Sequence, residues 1–216
     1  MNTVNRFTLG EEIANAITHG VGVVFSIVGL IFLIITSSLS GSAWHIVSFT
    51  IFGATMVLLY VSSTMLHSLP RGKAKNVFEI LDHAAIYFFI AGTYTPFLLV
   101  AIRGTLGWTL FSIVWGIAVA GTLFKVFFVK RFVFVSTVGY VLMGWLIVLV
   151  FPRLVELLPT GGIVLLVIGG LLYTFGAIFY VWRFFKYHHM VWHLFVLGGT
   201  ILHFFAVIIY LLPINI

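Results

Sequence analysis

The chain has 216 residues, of which 62% are hydrophobic and only 7% are charged, and its formal net charge is +6. A water-soluble domain of this size is excluded, because one core could not bury that much apolar surface. The absence of cysteine excludes disulfides and thiolate metal ligands, and the positive charges are spread over several loops instead of forming the stripe typical of nucleic-acid binding.

Seven stretches of the sequence are long and apolar enough to cross a bilayer, since a spanning helix needs about 20 mostly apolar residues. The connectors between them are short, which predicts antiparallel neighbours in a single bundle. The sequence therefore predicts an all-α membrane protein in which residues 1–216 form a single seven-helix transmembrane domain. The predicted spans are residues 17–37, 44–67, 77–101, 107–128, 132–151, 161–184 and 188–212.

Residues 5–15 precede the first predicted span and are polar with scattered apolar positions. This pattern predicts a short amphipathic helix lying at the membrane interface. Thr8 and Glu11 have the spacing of a capping box, which predicts a helix start at this point. No cleavage site follows the first apolar run, so we expect that run to stay in the protein as a span.

The basic residues of the loops predict the orientation of the bundle, because cytoplasmic loops carry an excess of Lys and Arg. With the N-terminus in the cytoplasm, only Arg103 and Arg153 fall on the outer side. An odd number of crossings then places the C-terminus outside, and the compact chain is typical of a bacterial plasma-membrane protein. The residues on the inner side are Arg6, Arg71, Lys73, Lys75, Lys125, Lys130, Arg131, Arg183 and Lys186.

Histidine and aspartate recur at one depth of the predicted bundle. His67 ends the second span, Asp82 lies near the start of the third, and His189 and His193 lie at the start of the seventh. In the predicted topology all these helix ends face the same side of the membrane. Ionisable groups are costly in a bilayer and usually mark functional sites, so we expect the four side chains to converge.

These side chains have the chemistry of a metal site. The four-residue spacing of His189 and His193 places both imidazoles on one helix face, and His67 would make a three-histidine zinc site of the open kind found in enzymes. Asp82 either completes the ligand set or contacts a bound water, and Ser63, one turn before His67, could orient a ligand or that water. Iron, nickel and copper also accept imidazole. The alternative for groups near span ends is exposure to the lipid headgroups.

Other polar residues leave two interpretations open. Glu12, Asn15 and His19 form a stripe on one helix face that either supports the metal site or contacts headgroups. His203 lies about 15 Å deeper than His193 by helix rise. It is therefore too far away to share an ion, and we expect it to form an inter-helix hydrogen bond or to line a cavity.

Four motifs together resemble the hemolysin III family, the bacterial branch of the progestin and adipoQ receptor superfamily. They are LDHAAIYFFIAGTYTP at residues 81–96, S-x-x-x-H at 63–67, E-x-x-N-x-x-x-H at 12–19 and H-x-x-x-H at 189–193. The resemblance implies a seven-helix bundle with a cytoplasmic N-terminus. In the animal adiponectin receptors three histidines bind zinc, an aspartate contacts it through water and a serine supports the site. The matching positions are His67, His189, His193, Asp82 and Ser63.

Besides ion transport, for which His203 and Tyr94 could line an outer cavity, three functions follow as hypotheses. The first is zinc-dependent hydrolysis of a lipid amide or ester, which the resemblance implies to be ceramidase-like, with Asp82 as general base. The second is a cytolysin, although a chain this apolar could not cross water as a secreted toxin. The third is a sensor or regulator of membrane state with a structural metal. Membrane lipids are the expected partners, and a protein hormone is not expected because the large receptor extensions are missing.

Overall fold

The computed structural model describes residues 7–215, and every regular element in this range is helical. Seven helical segments there are long and apolar enough to cross a membrane, which confirms the predicted all-α, seven-span fold. The α-helices are α1 Leu9–Ser40, α2 Ala43–Ser68, α3 Lys73–Pro96, α4 Gly104–Phe128, α5 Val133–Trp145, α6 Phe151–Leu157, α7 Thr160–Val181 and α8 His188–Ala206.

Three spans contain a change of helix type. After Pro96, α3 continues as a π-helix over Phe97–Ile102, and α8 continues in the same way over Val207–Leu211. A 3₁₀ turn over Leu146–Val150 joins α5 to α6, so these two helices form one span. Proline removes a backbone donor and crowds the preceding turn, so the α-helical hydrogen bonds are already interrupted at Pro96, where the π-helix begins.

The first helix begins earlier than the predicted span. Thr8 and Glu11 form the expected capping box: the Thr8 side chain accepts from Glu11 N, and Glu11 Oε2 accepts from Thr8 N at 2.8 Å. From Leu9 onward the predicted interfacial segment is the first part of α1, with Asn15 buried against neighbouring helices. Residues 5 and 6 of that segment lie outside the described range. The polar stripe of this segment, for which contact with lipid headgroups was one interpretation, thus faces the interior of the bundle.

The bundle is organised around α2 and α3, which are its most buried spans. α1 packs against α2 and α8, α7 packs against α8, and α4 packs against α3. Large apolar side chains such as Val28, Phe127 and Phe134 are exposed on the outer surface. In a bilayer this surface contacts lipid, which accounts for the hydrophobic composition.

The residues of the predicted metal site lie at one end of the bundle. Here α2 ends while α1, α3 and α8 begin, and we call this the histidine end. The loop charges predict that it faces the cytoplasm. Because α1, α2 and α8 pack together, residues far apart in sequence meet at this end.

Candidate metal centre

The structure brings His67, His189 and His193 together. Each offers one ring nitrogen, and these nitrogens all lie within 4.8 Å of one another. The ring centroids of His189 and His193 are 4.5 Å apart, and those of His67 and His193 are 5.3 Å apart. Three neutral imidazoles at this spacing could hold one metal ion.

The start of α8 is fixed by an acid on α1. Tyr187, just before α8, has the left-handed φ of 65°, and its N–H donates to Glu11 Oε1 at 3.1 Å. Glu11 therefore caps α1 with one carboxylate oxygen and holds the beginning of α8 with the other. This contact sets where His189 and His193 lie relative to α1.

A carboxylate orients His67. Its Nδ1 lies 2.6 Å from Glu12 Oε2, while Glu12 Oε1 pairs with Lys75 Nζ at 2.9 Å. An ionised carboxylate only accepts, so Nδ1 donates, and in the neutral ring Nε2 keeps its lone pair. His67 Nε2 is buried and has no hydrogen-bond partner among residues 7–215. The ring thus has the tautomer and the unpaired acceptor that a metal ligand needs.

The backbone of α1 orients His193 in the same way. His193 Nδ1 lies 3.2 Å from both Asn15 O and Thr18 Oγ1. The Asn15 carbonyl can only accept, and the Thr18 hydroxyl already donates to Ala14 O at 2.9 Å. Nδ1 is therefore the donor, and Nε2 of this ring is also free to bind a cation.

His19 belongs to the site, which the sequence alone left undecided. Its ring stacks on His193 with centroids 3.4 Å apart and planes at 12°. His19 is 3% exposed, and neither of its ring nitrogens has a partner in the described chain. The spacing of Glu12, Asn15 and His19 showed that they share a face, and the structure favours support of the site over contact with headgroups.

Ser63 and Asp82 lie near the histidines without joining their cluster. Ser63, one turn before His67, is 1% exposed, and its hydroxyl has no partner within the described residues. Asp82 lines the same cavity as His189. Its Oδ2 lies 3.6 Å from Nδ1 of the neighbouring His83. The group of converging metal-ligand atoms consists of the three histidines, with Asp82 outside it.

A largely apolar cavity runs from the histidine end toward the opposite end of the bundle. Asp82, His189 and His193 line its beginning, and Phe97 and His203 line its far part. Its empty volume is about 1270 Å³, including its open parts. His203 fulfils both expectations for it, since it lines this cavity and its Nε2 contacts Leu166 O on α7 at 3.0 Å.

The cavity meets a groove between α5 and α7 that faces the membrane. Thr137 and Val141 on α5, together with Thr174 and Ala177 on α7, line both the cavity and the groove. The other groove residues are almost all apolar, including Phe134 and Ile178. The cavity and the lipid-facing groove therefore adjoin each other along α5 and α7.

Comparison with known proteins identifies the family to which the chain belongs. A family model described as "Haemolysin-III related" matches residues 7–204. The chain is 56% identical over 204 residues to "Hemolysin-3 homolog" of Bacillus subtilis (strain 168), covering 94% of this chain and 96% of the relative. It is 54% identical over 203 residues to "Hemolysin-3" of Bacillus cereus, covering 94% and 93%.

A more distant relative is animal. The chain is 30% identical over 210 residues to "Monocyte to macrophage differentiation factor" of Homo sapiens, with 94% of this chain and 86% of the relative covered. No solved structure matches the chain significantly. The family match over nearly the whole chain and the seven apolar helices together identify this protein as a multi-pass bacterial membrane protein of the haemolysin-III related family.

Proposed function

We propose that this protein binds a zinc ion through His67, His189 and His193 and hydrolyses an amide or ester bond of a membrane lipid. The observation that carries the proposal is the position of the three-histidine cluster beside a long apolar cavity. A metal site intended only to stabilise the fold has no need of such a cavity. Three protein ligands next to open space are typical of a catalytic ion.

The donor set suits zinc. Two of the three rings donate from Nδ1 to protein oxygens and keep Nε2 unprotonated, as metal binding requires. The unpaired, buried Nε2 of His67 is the strongest sign, because an unsatisfied buried polar atom costs about 1–3 kcal/mol. When bound, zinc would polarise the scissile carbonyl and supply a water that loses its proton near neutral pH.

Asp82 would transfer protons, and Ser63 would orient the water or the substrate. Asp82 reaches the cavity beside His189 without joining the histidine cluster, so its carboxylate would act on the attacking water instead of holding the ion. As general base it accepts a proton from the attacking water and passes it to the leaving group. The Ser63 hydroxyl has no protein partner in the described range and orients the water or the carbonyl.

The cavity and the groove determine the kind of substrate. Apolar side chains such as Leu59, Phe89 and Val196 line the cavity, which suits an acyl chain. The groove between α5 and α7 lets a lipid enter sideways from the bilayer without crossing water. The polar linkage of the lipid then lies beside the histidines, and membrane lipids are the partners of the protein.

A second candidate function is membrane damage, because the Bacillus cereus relative carries the name "Hemolysin-3". Seven apolar spans cannot diffuse through water to a target membrane. Lysis by this chain would therefore require its delivery in a membrane or detergent. A regulator or sensor with a structural metal is the third candidate, and a fourth protein ligand that closes the coordination would favour it.

Metal removal tests the proposal directly. We expect protein purified in detergent to release free fatty acids from a bacterial lipid extract, as measured by mass spectrometry. Treatment with a chelator should abolish the release, and added zinc should restore it, because the proposed water is acidified only by the metal. Release that continues unchanged after the metal has been removed would contradict a metal-dependent hydrolase.

The contact between Glu12 and His67 gives a second prediction. Glu12→Gln keeps the size of the side chain but removes the charge that favours the bound cation and holds the His67 ring. Loss of such a supporting carboxylate typically lowers metal affinity about 10–100-fold. Competition with a chromogenic chelator measures this affinity. Glu156→Gln, at an exposed ion pair with Arg153, is the matched control and should keep wild-type affinity.

A further inference from the structure

Polar side chains line the far part of the cavity, away from the histidine end, where an acyl chain would need none. They come from four different helical spans, so their presence is not a property of one helix. This set, which we call the distal polar ring, consists of Thr93, Tyr94, Trp145, Tyr173, Thr174 and His203.

The threonines and the tryptophan of this ring have no free donor. Thr93 Oγ1 donates to Phe89 O at 2.8 Å, and Thr174 Oγ1 donates to Gly170 O at 2.8 Å. Trp145 Nε1 donates to Thr174 Oγ1 at 3.0 Å. Each hydroxyl carries a single proton, so the threonines can only accept further hydrogen bonds.

The hydroxyl protons of the two tyrosines are also used in hydrogen bonds within the protein. Tyr94 OH donates to Gly144 O at 2.6 Å. Tyr173 OH lies 3.1 Å from Thr200 Oγ1, whose own proton goes to Val196 O at 2.8 Å. Tyr173 must therefore be the donor in this pair, and its oxygen keeps lone pairs available.

His203 completes the pattern. Its Nε2 lies 3.0 Å from Leu166 O, and a carbonyl oxygen only accepts, so Nε2 carries the proton and Nδ1 is an acceptor. The residue is 6% exposed and lines the cavity, and Nδ1 has no partner within residues 7–215. The wall of the far part of the cavity thus contains a buried, unpaired acceptor beside groups whose protons are all in use.

We propose that the distal polar ring binds a hydroxyl group carried by the chain of the lipid, with His203 Nδ1 as the principal acceptor. This inference rests on the proposed function, since it assumes that a lipid chain occupies the cavity. A hydroxyl group on the lipid chain can donate a hydrogen bond to His203 Nδ1. A ketone can only accept, and the distal polar ring has no free donor for it. An unsubstituted chain leaves His203 Nδ1 unpaired. The hydroxyl belongs about 15 Å from His193, ten residues along the rise of α8.

A comparison of three fatty acids tests this on the intact protein. The probes are stearic acid, a hydroxystearic acid with its hydroxyl beyond the middle of the chain, and the ketone oxidised at the same carbon. Their affinities are measured by displacement of a fluorescent fatty acid from chelator-treated protein in detergent, so that neither metal nor turnover affects the result. One neutral hydrogen bond should make the hydroxy acid bind about threefold to tenfold more tightly than the other two.

Two variants locate the effect. His203→Leu removes the acceptor at similar volume and should make the hydroxy acid bind no better than stearic acid. His45→Leu removes another buried histidine, which bonds to Leu211 O and does not line the cavity, and should keep the wild-type preference. A His203→Leu protein that keeps the full preference would overturn the assignment to His203.

The wild-type measurement decides the matter even if a variant does not fold. Equal binding of all three acids, or a ketone that binds as well as the hydroxy acid, would overturn the inference and leave the proposed function standing. If none of the three displaces the fluorescent probe, the cavity holds no acyl chain, and the proposed function fails together with the inference.

Discussion

His193→Ala is expected to reduce the zinc content of the purified protein from about one ion per chain to about none. His193 supplies one of three ligands, and with its ring removed only two imidazoles remain for a site that needs at least three protein ligands. His67→Ala should have the same effect for the same reason. Elemental analysis of protein purified in detergent measures the loss.

The matched control for this experiment lies on the same helix. His203 is also a buried histidine of α8, but it lies about 15 Å from His193 by helix rise and points to α7. His203→Ala should therefore keep the wild-type zinc content. Helical circular dichroism should be equal in all variants, and full zinc retention in both His67→Ala and His193→Ala would rule out the three-histidine site.

Asp82→Asn is expected to abolish lipid hydrolysis while leaving most of the zinc in place. The substitution keeps the shape of the side chain but removes its ability to take a proton from water. Loss of a general base typically lowers the rate about 10²–10⁴-fold. Fatty acid release and zinc content should be measured on the same preparation, so that loss of chemistry is separated from loss of metal.

Glu79→Gln is the matched control on α3. Glu79 lies one turn before Asp82, and its carboxylate pairs with Lys130 at 3.2 Å instead of lining the cavity. We expect near wild-type hydrolysis from this variant. If Asp82→Asn instead loses its zinc, Asp82 is a direct ligand. Unchanged hydrolysis with zinc retained would remove Asp82 from the mechanism.

Hydropathy and spacing were enough to predict the spans and the convergence of the histidines. A bilayer imposes one length scale on every span, so runs of apolar residues count the helices directly. Short connectors then fix which helix ends share a side, which brought His67 to the depth of His189 and His193. These predictions needed no knowledge of which helices touch.

The contacts that orient the histidines could not be predicted, because they depend on which helices pack against each other. The sequence showed that Glu12 and His19 share a helix face, but only the packing of α1 between α2 and α8 shows that this face meets His67 and His193. The 3₁₀ turn at Leu146–Val150 could not be predicted either, because it contains no proline or glycine. There Tyr94 OH accepts from Ile147 N at 2.7 Å, a long-range contact invisible in local sequence.

The order of the histidines along the chain has a consequence for biogenesis. His67 lies in the second span, whereas His189 and His193 lie in the last. A ribosome must therefore finish and release nearly the entire polypeptide before the three imidazoles can meet. Any metal that these histidines bind would then be loaded late in maturation, and a chain truncated before its final span would enter the membrane with only one of the three imidazoles.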